Sequence, residues 1–225
     1  LLEHGHLADD AKVADLFEKY EFGSLKKYLG NVQAAAPKEE KQLSFSAISP
    51  EEICRIITRT GRCSVITEGE QGFAARKIFV AAEEDGNIST SSGTVGEFAA
   101  ILCDENVTKY GYDLKSQRNI LKSEDTDLKG KYMDIELMHY LINPEKSHKI
   151  EILAKSYLEI DIEENGEKKE EVTLSLFDEP QEEEKKSRFP EAAATMLLGG
   201  KIWEEMGEMD LQSLYDTMEE PLLKV

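Results

Sequence analysis

The spacing of apolar residues changes along the chain. Near the start it is helical. Asp10 offers a cap, and Val13, Leu16, Phe17 and Tyr20 fall at i, i+3, i+4 and i+7. Phe22, Leu25 and Leu29 extend that surface past Gly23, and residues 31–42 read as a linker. Residues 43–48 then alternate apolar and small polar side chains, as a strand does. Ser49-Pro50-Glu51-Glu52 is a helix start: a cap, a proline at the first position, then acids at the positive end of the dipole. Ile53, Ile56 and Ile57 give that helix its buried side. Residues 63–67 and 77–82 are β-prone, Asp85-Gly86-Asn87 is a turn signal, and residues 88–90 pair back.

From Val95 the period is helical again, with Phe98, Ile101 and Leu102 on one face. Residues 109–112 make a short strand, and helices are predicted around 116–121, 134–141 and 150–158. Asp134 reads as a capping acceptor for the second of these. Residues 159–186 are densely acidic with an apolar island at 172–177, a solvated loop region. Pro190 opens a long helix carrying Ala194, Leu197, Leu198, Ile202 and Met206, with Gly199-Gly200 as a kink or close-packing point inside it. A last helix, 211–225, is expected to bury Leu214, Met218, Leu222 and Val225. Strand and helix patterns alternate in the middle and give way to helices at the end, which predicts an α/β fold: a mixed sheet flanked by helices.

Charge narrows the function. The 225 residues carry 27 basic and 46 acidic side chains, a net charge of −19. Such a chain repels phosphate overall, so contact with nucleic acid needs a local patch or another domain. The only basic cluster near a strand end is Lys109, Lys115, Arg118 and Lys122, the candidate DNA contact; pairing with the surrounding acids is the competing reading. No apolar run approaches the roughly 20 residues of a membrane span. The start, Leu1-Leu2-Glu3-His4, is not a signal peptide and lacks a methionine, as a piece of a longer chain would. Cys54, Cys63 and Cys103 have no zinc-ligand spacing and read as reduced thiols, so the cytoplasm is the expected compartment; separately, a monomer is the expected state. Glu136 and His139, three residues apart, suit a solvated helix face better than a metal pair.

Ordered segments then carry a resemblance. Ile101-Leu102-Cys103-Asp104-Glu105 and Lys109-Tyr110-Gly111-Tyr112-Asp113-Leu114-Lys115 resemble the approach to the second exonuclease motif of bacterial DNA polymerase I. Met133-Asp134, His139-Tyr140-Leu141-Ile142-Asn143-Pro144 and Ile152-Leu153-Ala154-Lys155-Ser156-Tyr157-Leu158 are similar to the helices that follow. Leu214-Tyr215-Asp216-Thr217-Met218-Glu219-Glu220-Pro221-Leu222 is similar to the helix entering that family's polymerase domain, and Leu16-Phe17-Glu18-Lys19-Tyr20-Glu21-Phe22 to the connector after its 5′-nuclease domain. The resemblance implies three regions: a helical connector at 1–42, a 3′–5′ exonuclease-like domain at 43–210, and the start of the helix into a polymerase domain at 211–225. It implies a ribonuclease-H-like 3′–5′ exonuclease fold for the central region.

Active members of that family hold two divalent metals with four carboxylates. Two cations about 3.5–4 Å apart activate the attacking water and stabilise the leaving oxygen. The first motif, Asp-x-Glu, falls on Ile66-Thr67-Glu68, and only Glu68 is acidic. In the second, Asp113 takes an asparagine position and Gln117 the catalytic aspartate. In the third, Phe189 stands for a tyrosine and Ala193 for an aspartate. Three of four ligands are missing. The resemblance therefore implies a domain without exonuclease chemistry and without a bound cofactor. Its partner is the polymerase domain of the same protein, which would use Mg²⁺ and bring it to DNA in replication and repair. Two rivals remain: a working proofreading exonuclease drawing on Glu83, Glu84 and Asp85, and an interaction module whose acidic loop recruits a basic partner.

Overall fold

The computed structural model describes residues 43–70, 73, 75, 77–162 and 187–225. The amphipathic segment at 13–29, the linker at 31–42 and the acidic loop from 163 to 186 lie outside the described residues. Six strands form one mixed sheet: β1 (Ser46–Ala47), β2 (Arg62–Glu68), β3 (Lys77–Glu84), β4 (Asn87–Gly93), β5 (Thr108–Gly111) and β6 (Tyr132–Asp134). Their order is β1-β4-β3-β2-β5-β6. β2, β3 and β4 form an antiparallel meander, and β1, β5 and β6 add parallel to it.

The local rules hold where they were strongest. Helix α1 (Pro50–Thr60) starts at Ser49, whose hydroxyl accepts from the Glu52 N–H at 3.3 Å, and stops at Gly61 in the left-handed region, φ 69°. Asp85 and Gly86, with φ 50° and 78°, turn β3 into β4. Two left-handed residues in succession match the twist of a tight hairpin. Helix α2 (Val95–Leu102) opens with a reciprocal cap between Thr94 and Glu97.

Side chains alternate across β2. Cys63 and Val65 join Ile53, Ile57, Phe98, Leu102, Leu114 and Leu121 in the core beneath α1, α2 and α3 (Leu114–Lys122). Ile66 faces the other way, toward α6 (Phe189–Glu208). That 20-residue helix runs unbroken through Gly199-Gly200, so the pair is not a kink. A Cβ at Gly199 would lie 2.0 Å from the Tyr110 ring; the glycine lets the helix sit directly on β5. The Ser64 hydroxyl fixes the same contact, donating to the Ala192 carbonyl at 2.7 Å.

Two expectations needed correction. Residues 132–134 form an edge strand before α4 (Ile135–Ile142), where only a helix start was read, and α5 (Ile150–Leu153) follows as predicted. At the end of the chain, α7 (Gln212–Leu214) passes through a π-helical turn, Tyr215–Glu219, into α8 (Glu220–Leu223). Leu214, Met218, Leu222 and Val225 are exposed, and Tyr215, Glu220 and Leu223 are the buried side. The wider π turn brings Tyr215 and Glu220, five residues apart, to one side, and Leu214 is already outside before the turn begins. Among the described residues no helix is long and apolar enough to cross a membrane.

Candidate nuclease site

Three of the positions read against the metal-ligand motifs, Ile66, Gln117 and Ala193, gather around Ile66. Ile66, on β2, is 3% exposed and packs with Phe79, Ala81, Ala192, Ala193 and Met196. Ala193 is fully buried in that cluster. Phe189, at the start of α6, packs against it, its ring edge-on to Phe79 with centres 5.5 Å apart. A phenol there would bring a hydroxyl; Phe189 brings only an edge.

Gln117 closes the other side. It is buried on α3, and both ends of its amide are engaged: the carbonyl oxygen accepts from the Thr67 N–H at 2.8 Å, and the amino group donates to the Tyr112 carbonyl at 2.8 Å. It thus ties β2 to the β5–α3 junction with a neutral dipole. Asp113, in the left-handed region at φ 49°, turns its carboxylate to the Ser116 N–H at 3.2 Å and caps α3. Ile66, Thr67, Tyr112, Asp113, Ser116, Gln117 and Ile120 wall a cavity of about 220 Å³, closed by Arg188 and Glu191 of the α6 start. The Arg188 guanidinium holds Glu191 with two hydrogen bonds, at 2.7 and 2.5 Å. Glu68 ends β2, half-buried, in register with Lys77 of β3.

This residue set does not fit a two-metal cage. One of the two acids on the cavity wall caps a helix, and the other is paired with an arginine. Among the described residues, no three of His, Cys, Asp or Glu could hold a metal ion together. Glu83 and Glu84 are no reserve, because they lie at the opposite end of β3 from Lys77, paired with Arg62 and Arg59.

The basic cluster is dispersed. Lys109 is fully buried, and its ammonium donates to the Asp104 carbonyl, with burial lowering its pKa. Arg118 pairs with Asp127 at 3.1 Å and donates to the Lys224 carbonyl. Lys115 and Lys122 stay exposed. Position in the sheet explains Lys109: it is in register with Cys63, on the face that packs beneath the helices.

Sequence reading saw Asp134 as a cap, which it is, accepting from the Leu137 N–H at 3.2 Å. It missed the surrounding network. The other oxygen accepts from the Leu114 N–H at 2.7 Å, and the Asp134 N–H donates to the Tyr215 hydroxyl at 2.8 Å. Burial raises the Asp134 carboxyl to about 6, against the pull of the two N–H donors; Glu136 and Asp113 add to the rise.

The fold is shared with known structures. The fold of the M. smegmatis Pol1 polymerase domain, solved with primer-template DNA and dNTP, superposes with a TM-score of 0.59 at 18% identity, over 80% of this chain and 30% of that one. Brucella melitensis NrnC with bound Mg²⁺ gives 0.53 at 11% identity, covering 82% and 89%. Escherichia coli RNase D, an exoribonuclease, gives 0.50 at 12%, covering 75% and 47%. The architecture is the ribonuclease-H-like 3′–5′ exonuclease fold. Residues 76–167 match the family described as DNA polymerase I, ribonuclease H-like domain. That segment of the exonuclease fold contains Asp113 and Gln117; Ile66, Glu68, Phe189 and Ala193 lie outside it. No curated protein matches the chain. It spans less than a third of the mycobacterial polymerase chain.

Proposed function

We propose that this chain is an exonuclease-like domain of the DNA polymerase I type that does not hydrolyse DNA and instead supports a polymerase domain of the same protein. One observation carries the reading. At the second-motif aspartate position, the Gln117 amide is spent on Thr67 and Tyr112, leaving a neutral, fixed dipole where a metal needs a charged oxygen. Ile66 and Ala193 extend the loss, because their places lie in a packed apolar cluster. DNA synthesis with Mg²⁺, in replication and repair, would belong to the rest of the protein in the cytoplasm, and DNA would reach this domain through it. The likeness to the polymerase-domain structure supports this assignment.

The test is a time course on 3′-labelled single-stranded DNA with Mg²⁺ or Mn²⁺. No mononucleotide release is expected, from the chain or from Glu68→Ala. Restoring a single carboxylate is not expected to rescue activity, because metal ligands act as a unit. Metal-dependent release by the unaltered chain, lost in Glu68→Ala, overturns the reading in favour of a proofreading exonuclease.

A further inference from the structure

Away from this site, His139 of α4 and His148 of the 143–149 connection face each other. His139 is buried, 4% exposed. Their Nδ1 atoms are 2.7 Å apart and the ring centres 5.0 Å apart, with the planes at 67°. The nitrogen separation plus the two ring radii accounts for the whole centre-to-centre distance, so the nitrogens meet head-on. Two lone pairs, or two N–H groups, would repel at that distance. One nitrogen therefore donates and the other accepts.

Aromatic rings flank the pair. The Tyr157 ring lies 5.8 Å from His139 and the Tyr140 ring 5.7 Å from His148. The Tyr157 hydroxyl donates to Glu205 of α6 at 2.7 Å, and Lys201 donates to the Tyr157 carbonyl at 2.9 Å. Lys146 belongs to the same connection. His148 also lines a cavity of about 420 Å³ with Asp113, Lys115, Asp134 and Glu136.

We propose that His139 and His148 form a one-proton latch that fixes the 143–149 connection to α4 and opens only when the pair becomes doubly charged. With both rings neutral, one Nδ1–H donates to the other Nδ1. A first added proton leaves a single hydrogen between the nitrogens and makes the bond charge-assisted, hence stronger. A second puts two N–H groups and two positive charges face to face, and the rings separate. Burial first, then the charges of His148 and Lys146, hold His139 down to about 4 against the pull of Glu205, which delays that second step. The connection leads into Lys149, Ile150 and Ile152, which wall a cleft of about 610 Å³ shared with Tyr112, Arg188 and Glu191. Opening the latch loosens that wall while the sheet stays folded.

The experiment is ¹⁵N-histidine NMR with amide hydrogen exchange on the full chain from pH 7 to 3. At neutral pH one Nδ1–H should be protected and coupled to the facing nitrogen. The two rings should titrate as one pair in two steps. Intrinsic-rate-corrected exchange at residues 145–149 should rise about tenfold or more across the second step only. His148→Phe keeps a ring beside Tyr140 but removes the nitrogen. It should exchange faster already at pH 7, lose the pH response, and leave His139 titrating alone. His148→Asn repeats the test should the phenylalanine not pack. Two independent titrations in the unaltered chain, exchange that ignores pH, or variants that exchange like the unaltered chain would each overturn the latch.

Discussion

Two buried regions of this domain treat charge in opposite ways. Around Ile66 and Ala193, positions read against the exonuclease motifs, the cluster is apolar, its buried neighbours Ser64 and Thr67 are neutral, and the Gln117 amide is tied at both ends. At the β6 edge, where no chemistry is assigned, a carboxyl is 2% exposed. Asp134 is tolerated there because every atom around it has a partner: Leu114 and Leu137 donate to its oxygens, and Tyr215 accepts from its N–H. A buried acid with a raised pKa is thus no sign of catalysis by itself. What separates a site from a structural network is whether the oxygens are left free for a ligand.

The sharpest way to break the contrast is to put charge where the apolar cluster lies. Ala193→Asp should destabilise the fold by about 3–5 kcal/mol, because the new carboxylate has no partner among Ile66, Phe79 and Met196, and Mg²⁺ should not restore it. Urea unfolding followed through Trp203, the single tryptophan, measures this. Full rescue by Mg²⁺ would mean that a metal-binding arrangement survives.

Next comes the network. Removing one hydroxyl in Tyr215→Phe strands the Asp134 N–H and the Tyr132 carbonyl, to which that hydroxyl donates at 3.1 Å. A loss of about 2–3 kcal/mol is expected in the same assay. A neutral result would show that the edge is satisfied some other way.

The smallest effect concerns pH. The folded pKa of Asp134 is raised to about 6. Its linkage therefore favours folding fully below the unfolded value, and the benefit is lost as pH rises through about 6. The stability of the unaltered chain relative to Asp134→Asn should grow by about 2 kcal/mol between pH 7 and pH 4. Taking the difference at each pH cancels the opposite trend of His139, whose lowered pKa costs stability as pH falls. A flat difference would mean the carboxylate is as comfortable folded as unfolded.

Much of the fold was legible because its signals are local. Ser49-Pro50 and Gly61 bracket α1, and Asp85-Gly86 turns the hairpin; both depend on backbone preferences of the residues themselves. The positions read as altered motif residues came from a family resemblance; the structure groups Ile66 with Ala193 and Phe189 on one side and with Gln117 on the other. What escaped reading was set by distant partners. β6 has three residues and one strand neighbour, too little for a period. Lys109 looks like surface until the fold sets it beside Cys63 on a covered face of the sheet. The C-terminal apolar series has true helical spacing, but spacing does not say which face meets the core; the bonds of Tyr215 and Glu220 to β6 decide that. His139 was read as solvated because nothing nearby in sequence announces His148 as its cover.

The β6 edge also sets an order of assembly. Its outer backbone groups are satisfied not by another strand but by Tyr215 and by Glu220, which accepts from the Tyr132 N–H at 3.1 Å. Those partners lie 81 to 88 residues further along the chain. On a ribosome, β6 can dock on β5 long before they emerge. Until then the growing polypeptide presents an open strand edge able to pair with a neighbouring nascent chain. The last dozen residues are therefore the point at which this sheet stops being adhesive.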